Sequence, residues 1–124
     1  VVIIEDDAGV IELITTIIAR DGHEVCVAAG ADDGLELVAS LVSQASGPVV
    51  VITDIFMPDR DGLEVTSLIK REHPDVGVIA ISGGGAAGER GYLVAAREFG
   101  ADFTLPKPFR PRELRAAVDE VLRG

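Results

Sequence analysis

Short apolar runs alternate along the chain with amphipathic segments about a dozen residues long. Val1-Val2-Ile3-Ile4, Val49-Val50-Val51-Ile52 and Val78-Ile79-Ala80-Ile81 are apolar at consecutive positions, the pattern of strands covered on both faces. The alternation predicts strands at about 1–5, 24–28, 49–53, 76–81 and 102–105. It predicts helices at about 8–20, 32–43, 60–72, 88–99 and 111–123. In the first helix Val10, Ile11, Leu13, Ile14, Ile17 and Ile18 fill one arc; in the last, Leu114, Ala117, Val118, Val121 and Leu122 do the same. Pro111 suits a first helical turn, and Asp21-Gly22, Ser46-Gly47-Pro48, Asp61-Gly62 and His73-Pro74 punctuate the joins. Five βα units are too few for an eight-stranded barrel, so an open α/β fold is expected, with a five-stranded parallel, doubly wound sheet.

Composition narrows the picture. At 124 residues the chain reads as one domain over 1–124, and 48% apolar content excludes disorder. No apolar run is long enough to span a membrane, and no basic segment precedes Val1, so no secretory signal is expected. The chain begins on a strand without an initiator Met, so a few residues are expected upstream. One cysteine, Cys26, excludes an internal disulfide and a cysteine zinc site; it reads as a small buried hydrophobe and fits a cytoplasmic protein. A net charge of −10 argues against direct binding to nucleic acid. Lys is rare beside Arg, which draws attention to Lys107 as a compact ammonium.

The candidate chemistry lies where the strands finish. Asp54 ends the run 49–53, Glu5-Asp6 follow the first strand, Ser82 the fourth and Lys107 the fifth. In doubly wound sheets ligands bind beyond the carboxyl ends of the strands, so these groups share the functional edge. Three carboxylates brought together need a cation, and an all-oxygen set favours Mg²⁺. A carboxylate can also be the nucleophile that forms an aspartyl-phosphate, with lysine and Mg²⁺ neutralising charge. Each residue alone has a plainer reading, as a helix cap, a turn former or a solvated side chain.

Taken together, Ile4-Glu5-Asp6-Asp7, Asp54-Ile55-Phe56-Met57-Pro58, Asp61-Gly62, Ser82, Gly100-Ala101-Asp102 and Lys107-Pro108-Phe109 resemble the receiver domain of two-component response regulators. The resemblance implies a (βα)5, flavodoxin-like fold with strand order 2-1-3-4-5, an order that the pattern alone does not give. It implies that Asp54 accepts a phosphoryl group from a sensor histidine kinase or phosphotransfer protein. Asp6 would bind Mg²⁺ directly, Glu5 through water, with Asp54 and the main-chain carbonyl of Phe56 as further ligands. Ser82 would be the switch hydroxyl and Lys107 the partner of the phosphoryl group, with a cis bond before Pro108. Asp7 would start a helix. An output domain or downstream protein would meet the 88–123 face, with Tyr92, Arg97, Arg112 and Arg115 as contacts, and a phosphorylation-dependent dimer is a further implied partner. Such a domain is not an enzyme beyond its own phosphotransfer and slow autodephosphorylation.

The chain also departs from that family. The usual aromatic three residues before the lysine is Thr104, while Phe103 should face the other side of the sheet. Ser82 is followed by Gly83-Gly84-Gly85-Ala86-Ala87-Gly88, which lacks the Gly-Lys-Ser/Thr ending of a P-loop and reads as a mobile loop. Phe56 and Gly84 hold positions that often act on hydrolytic water, and neither can orient water, so slow dephosphorylation is expected, with Phe56 partly shielding the site. Two other readings compete. An aspartate-nucleophile phosphatase or phosphotransferase would usually need an acid–base Asp where Phe56 stands, and a phosphorylation-independent scaffold would be expected to lose part of the acidic and lysine set.

Overall fold

The structure, a computed structural model, describes residues 1–44, 47–56, 61–83 and 89–123. The elements run β1 (Val2–Ile4), α1 (Ala8–Arg20), β2 (Cys26–Ala28), α2 (Ala31–Gln44), β3 (Val50–Asp54), α3 (Gly62–Glu72), β4 (Gly77–Gly83), α4 (Glu89–Glu98), β5 (Phe103–Lys107) and α5 (Pro111–Arg123). The strands form one parallel sheet in the order β2-β1-β3-β4-β5. The expected helix starts at 60 and 88, Met57-Pro58 and the glycine run from 84 to 88 lie outside the described residues.

Period-two alternation divides the core. Val2, Ile4, Val51, Val78 and Ala80 face α2, α3 and α4, and Ile3, Val50, Ile52, Ile79, Ile81 and Leu105 face α1 and α5. Phe103 packs on the second side, out of phase with Thr104, as its position in the strand requires. At the sheet edge β2 is less covered: Cys26 is partly exposed and not the buried hydrophobe expected, because no strand flanks β2 on its outer side and Val27 beside it is also exposed.

Two strands extend further than the apolar runs suggest. Ser82 and Lys107 do not follow their strands but belong to them, pairing across β4 and β5 as Ser82 with Pro106 and Gly83 with Lys107. Polar side chains at these positions do not end the ladder, because the backbone bonds are indifferent to them.

The opposite edge of the sheet is closed by a polar lock. Lys70 Nζ donates to the carbonyls of Pro74 (3.2 Å) and Val76 (2.9 Å) and to Asp102 Oδ2 (3.0 Å). Asp102 Oδ2 also accepts the Val78 N–H at 2.9 Å, so Gly100-Ala101-Asp102 ties β4 to the start of β5. Gly100 has φ +112°, a conformation open to glycine, and a Cβ there would crowd the Lys70 stem.

Candidate functional site

Alternation brings three of the predicted residues to one place. Glu5, Asp54 and Lys107 each stand two positions beyond a residue of the α1/α5 side, namely Ile3, Ile52 and Leu105. Ile4 is in register with Thr53, which sets Glu5 beside Asp54. The ladder continues through Glu5 N to Ala28 O at 3.1 Å, and through Ile55 N to Ile81 O at 3.0 Å. Lys107 Nζ then lies 3.5 Å from Glu5 Oε2 and 3.5 Å from Asp54 Oδ2.

The carboxylates differ in what holds them. Glu5 is 1% exposed, and its Oε1 accepts the N–H groups of Asp6 and Asp7 at 3.2 Å. Asp54 is 5% exposed, and its Oδ1 accepts the Phe56 N–H at 3.3 Å, a long bond. Asp6 is exposed. Asp7 caps α1, its Oδ1 accepting from Gly9 N (2.8 Å) and Val10 N (3.1 Å), so it is a helix initiator as expected.

Burial pushes the Glu5 carboxyl up, from its ordinary 4.5 to about 7, and the Asp54 carboxylate adds to the rise; the Asp7 N–H and Lys107 oppose it. Keeping Glu5 ionised therefore costs roughly 3 kcal/mol relative to a free carboxylate. One lysine at 3.5 Å does not offset two closed-in carboxylates. Ligand oxygens of Glu5, Asp6 and Asp54 lie within 4.8 Å of one another, a set that could hold a metal ion. The donor chemistry, all oxygen and short of positive charge, fits a hard divalent cation.

Ser82 stands out of phase. It follows Ile81 and so belongs to the α3/α4 side with Ala80, not to the side of Asp54 and Lys107. Its Oγ is buried and has no hydrogen-bond partner among the described residues. The Phe56 ring is 45% exposed and lies on the surface, edge-on to the Tyr92 ring with centroids 4.8 Å apart. The bond between Lys107 and Pro108 is cis.

Two features were not foreseen as parts of the site. Asp61 caps α3 through Leu63 N at 2.7 Å, and Gly62 lets that helix sit directly under β3. A Cβ at 62 would strike the Asp54 carbonyl oxygen and come within 2.5 Å of Ile55 Cα. The Asp-Gly pair reads from sequence as a join; only the packing shows that the glycine sets the height of Asp54. The Phe56–Tyr92 contact spans a loop and a helix and leaves no signal in the pattern. Of the expected partner-face contacts, Arg115 is exposed and its Nε meets Asp21 Oδ2 at 3.3 Å, where α5 packs against α1.

Residues 1–119 match the family model described as Response regulator receiver domain. The response regulator MprA of Mycolicibacterium vanbaalenii is 32% identical over 123 residues, covering 99% of this chain and 50% of that protein. The probable transcriptional regulator ycf27 of Pyropia yezoensis is also 32% identical, over 99% of this chain and 47% of its own length. The chain thus spans about half the length of the curated relatives it matches. Among solved structures, a response regulator receiver domain protein from Clostridium thermocellum superposes with a TM-score of 0.86 at 27% identity, covering 98% of this chain and 92% of that one. The receiver domain of NtrX from Brucella abortus gives 0.83 at 29% identity, covering 98% and 97%. No helix among the described residues is long and apolar enough to cross a membrane.

Proposed function

Because this chain belongs to the response regulator receiver domain family, we propose that it is a phosphorylation-operated switch of a two-component system with Asp54 as phosphoacceptor. The single observation that carries this reading is the lysine, with Nζ 3.5 Å from both Asp54 and Glu5 in a pocket otherwise rich in carboxylate. Phosphoryl transfer depends on positioning and charge neutralisation more than on covalent help from the protein. A carboxylate oxygen of Asp54 attacks the phosphorus of a kinase phosphohistidine; the P–O bond forms, the P–N bond breaks, and the bonding pair stays on the imidazole nitrogen. Lys107 pairs with the transferred group, and the Ser82 hydroxyl, buried without a partner among the described residues, moves from the α3/α4 side toward the phosphoryl oxygens and donates to one of them.

Asp6, Asp54, the main-chain carbonyl of Phe56 and, through water, Glu5 would hold Mg²⁺, which when bound neutralises phosphoryl oxygen charge. The raised Glu5 pKa supports this, since a nearby dication favours the ionised form. The phosphorylated and free states then differ in the β4–α4–β5 region, and partner affinity follows the population of each. The face of α4, β5 and α5 would meet an output domain or downstream protein, and a second copy on phosphorylation. The names of the relatives point to control of transcription as the output. The domain would act in the cytoplasm and catalyse only its own phosphotransfer and slow dephosphorylation. No observation favours the small-molecule phosphotransferase or the phosphorylation-independent scaffold.

Incubation with acetyl phosphate and Mg²⁺ should give a hydroxylamine-labile acyl phosphate that is absent from Asp54→Asn. A label that survives Asp54→Asn sinks the assignment. Phe56→Asn restores a side chain able to orient water, and the acyl phosphate should decay several-fold faster; an unchanged half-life would remove Phe56 from the account of slow decay.

A further inference from the structure

We propose that Tyr92 is a positioning residue which ties the backbone of Phe56 to α4, so that the Phe56–Tyr92 ring contact carries the state of Asp54 to that helix. This rests on the reading of Asp54 as phosphoacceptor. The connection is short and each link is visible. Asp54 Oδ1 accepts the Phe56 N–H at 3.3 Å. The Phe56 ring meets Tyr92 at 4.8 Å between centroids with the planes 75° apart, the favoured edge-to-face geometry. Tyr92 stands within α4.

The chemistry at Asp54 acts on the first link. Formation of the acyl phosphate on either carboxylate oxygen removes the full negative charge from the Asp54 carboxyl itself, and Oδ1 becomes a weaker acceptor for a bond that is already long. Residue 56 is then freed to shift, and its ring moves with it. The second link is suited to transmit such a shift. Both rings are nearly half exposed, 45% and 42%, so the contact is neither locked by surrounding packing nor costly to remake. A contact of this geometry biases a two-state equilibrium by roughly 2- to 10-fold.

Tyr92 shares the exposed side chains of α4 with Val94 and Arg97, while Ala96 is buried. In β5 the position that faces α4 is Thr104, which offers no ring to carry the signal by that route.

The chain contains one Tyr and no Trp, so its tyrosine emission reports on Tyr92 alone. The test follows that emission, and amide hydrogen exchange over 89–98, as the full chain is phosphorylated with acetyl phosphate and Mg²⁺, with label on Asp54 measured in the same samples. Wild-type protein should show a change in emission and in α4 exchange that tracks the label. Tyr92→Leu removes the partner ring and leaves the acidic pocket untouched; it should label normally and lose at least half of the α4 exchange response. Tyr92→Phe keeps the ring and should keep that response, and Tyr92→Met serves if the leucine variant folds poorly. Normal labelling with an unchanged emission in wild-type protein, or with a full exchange response in Tyr92→Leu, overturns the relay and leaves Asp54 as phosphoacceptor. No label on wild-type Asp54 removes the phosphoacceptor reading and the relay with it.

Discussion

The two lysines of this chain sit at opposite edges of the same sheet, equally shielded at 22% and 20% exposed, yet their surroundings differ in kind. Lys70 has three acceptors at 2.9–3.2 Å, one carboxylate and two carbonyls, and its partner Asp102 is shared with a strand N–H. Lys107 faces two carboxylates at 3.5 Å, one of them held against its preference for the proton. The first group of charges is satisfied and closes the fold. The second carries unspent negative charge at a place where a cation and a phosphoryl group would be welcome. Burial does not separate a structural lysine from a functional one here; the balance of charge around it does.

Breaking the contrast at Lys107 should have the largest effect. Lys107→Met should lower acetyl phosphate labelling by about 10²–10³-fold, the loss typical of removing one charge-stabilising donor, with folding intact by circular dichroism. Labelling within two-fold of wild type would show that the lysine is dispensable for transfer. Next comes the acidity of the pocket. In chelator, folded Glu5 keeps its proton up to about pH 7 and unfolded Glu5 only to about 4.5. The folded state holds more protons across that window, so stability should fall as pH rises through it, by up to roughly 3 kcal/mol. Mg²⁺ should recover the loss above pH 7, and Glu5→Gln should flatten the profile; a urea midpoint that rises between pH 5 and pH 8 without metal would contradict the account. The smallest change belongs to the satisfied edge. Lys70→Met should cost about 1–3 kcal/mol in urea unfolding while Asp54 labels as before. A strong loss of labelling would mean that the two edges are coupled.

Much of this was legible in the chain itself. Consecutive apolar positions alternating with helical stripes gave five strands and five helices close to where they lie, because strand and helix periods are local properties of the pattern. The polar strand ends Glu5, Asp6, Asp54 and Lys107 were equally legible, since a charged residue closing a buried run is conspicuous without a fold. What sequence could not supply was phase between strands. Ser82 and Asp54 look alike as strand-end polar groups, yet register sets Asp54 with Glu5 and Lys107 and turns Ser82 to the other side. Nor could it reveal that Gly62 fixes the height of Asp54, that Arg115 turns to Asp21, or that Phe56 meets Tyr92.

The sequence by itself determined which residues carry charge and where each strand and helix runs, because those follow from composition and short-range periodicity. Only the tertiary structure decided which charges oppose one another across a few ångströms of poorly solvated space. Packing of neighbouring strands sets those distances and removes the water, and on them the difference between Lys70 and Lys107 depends.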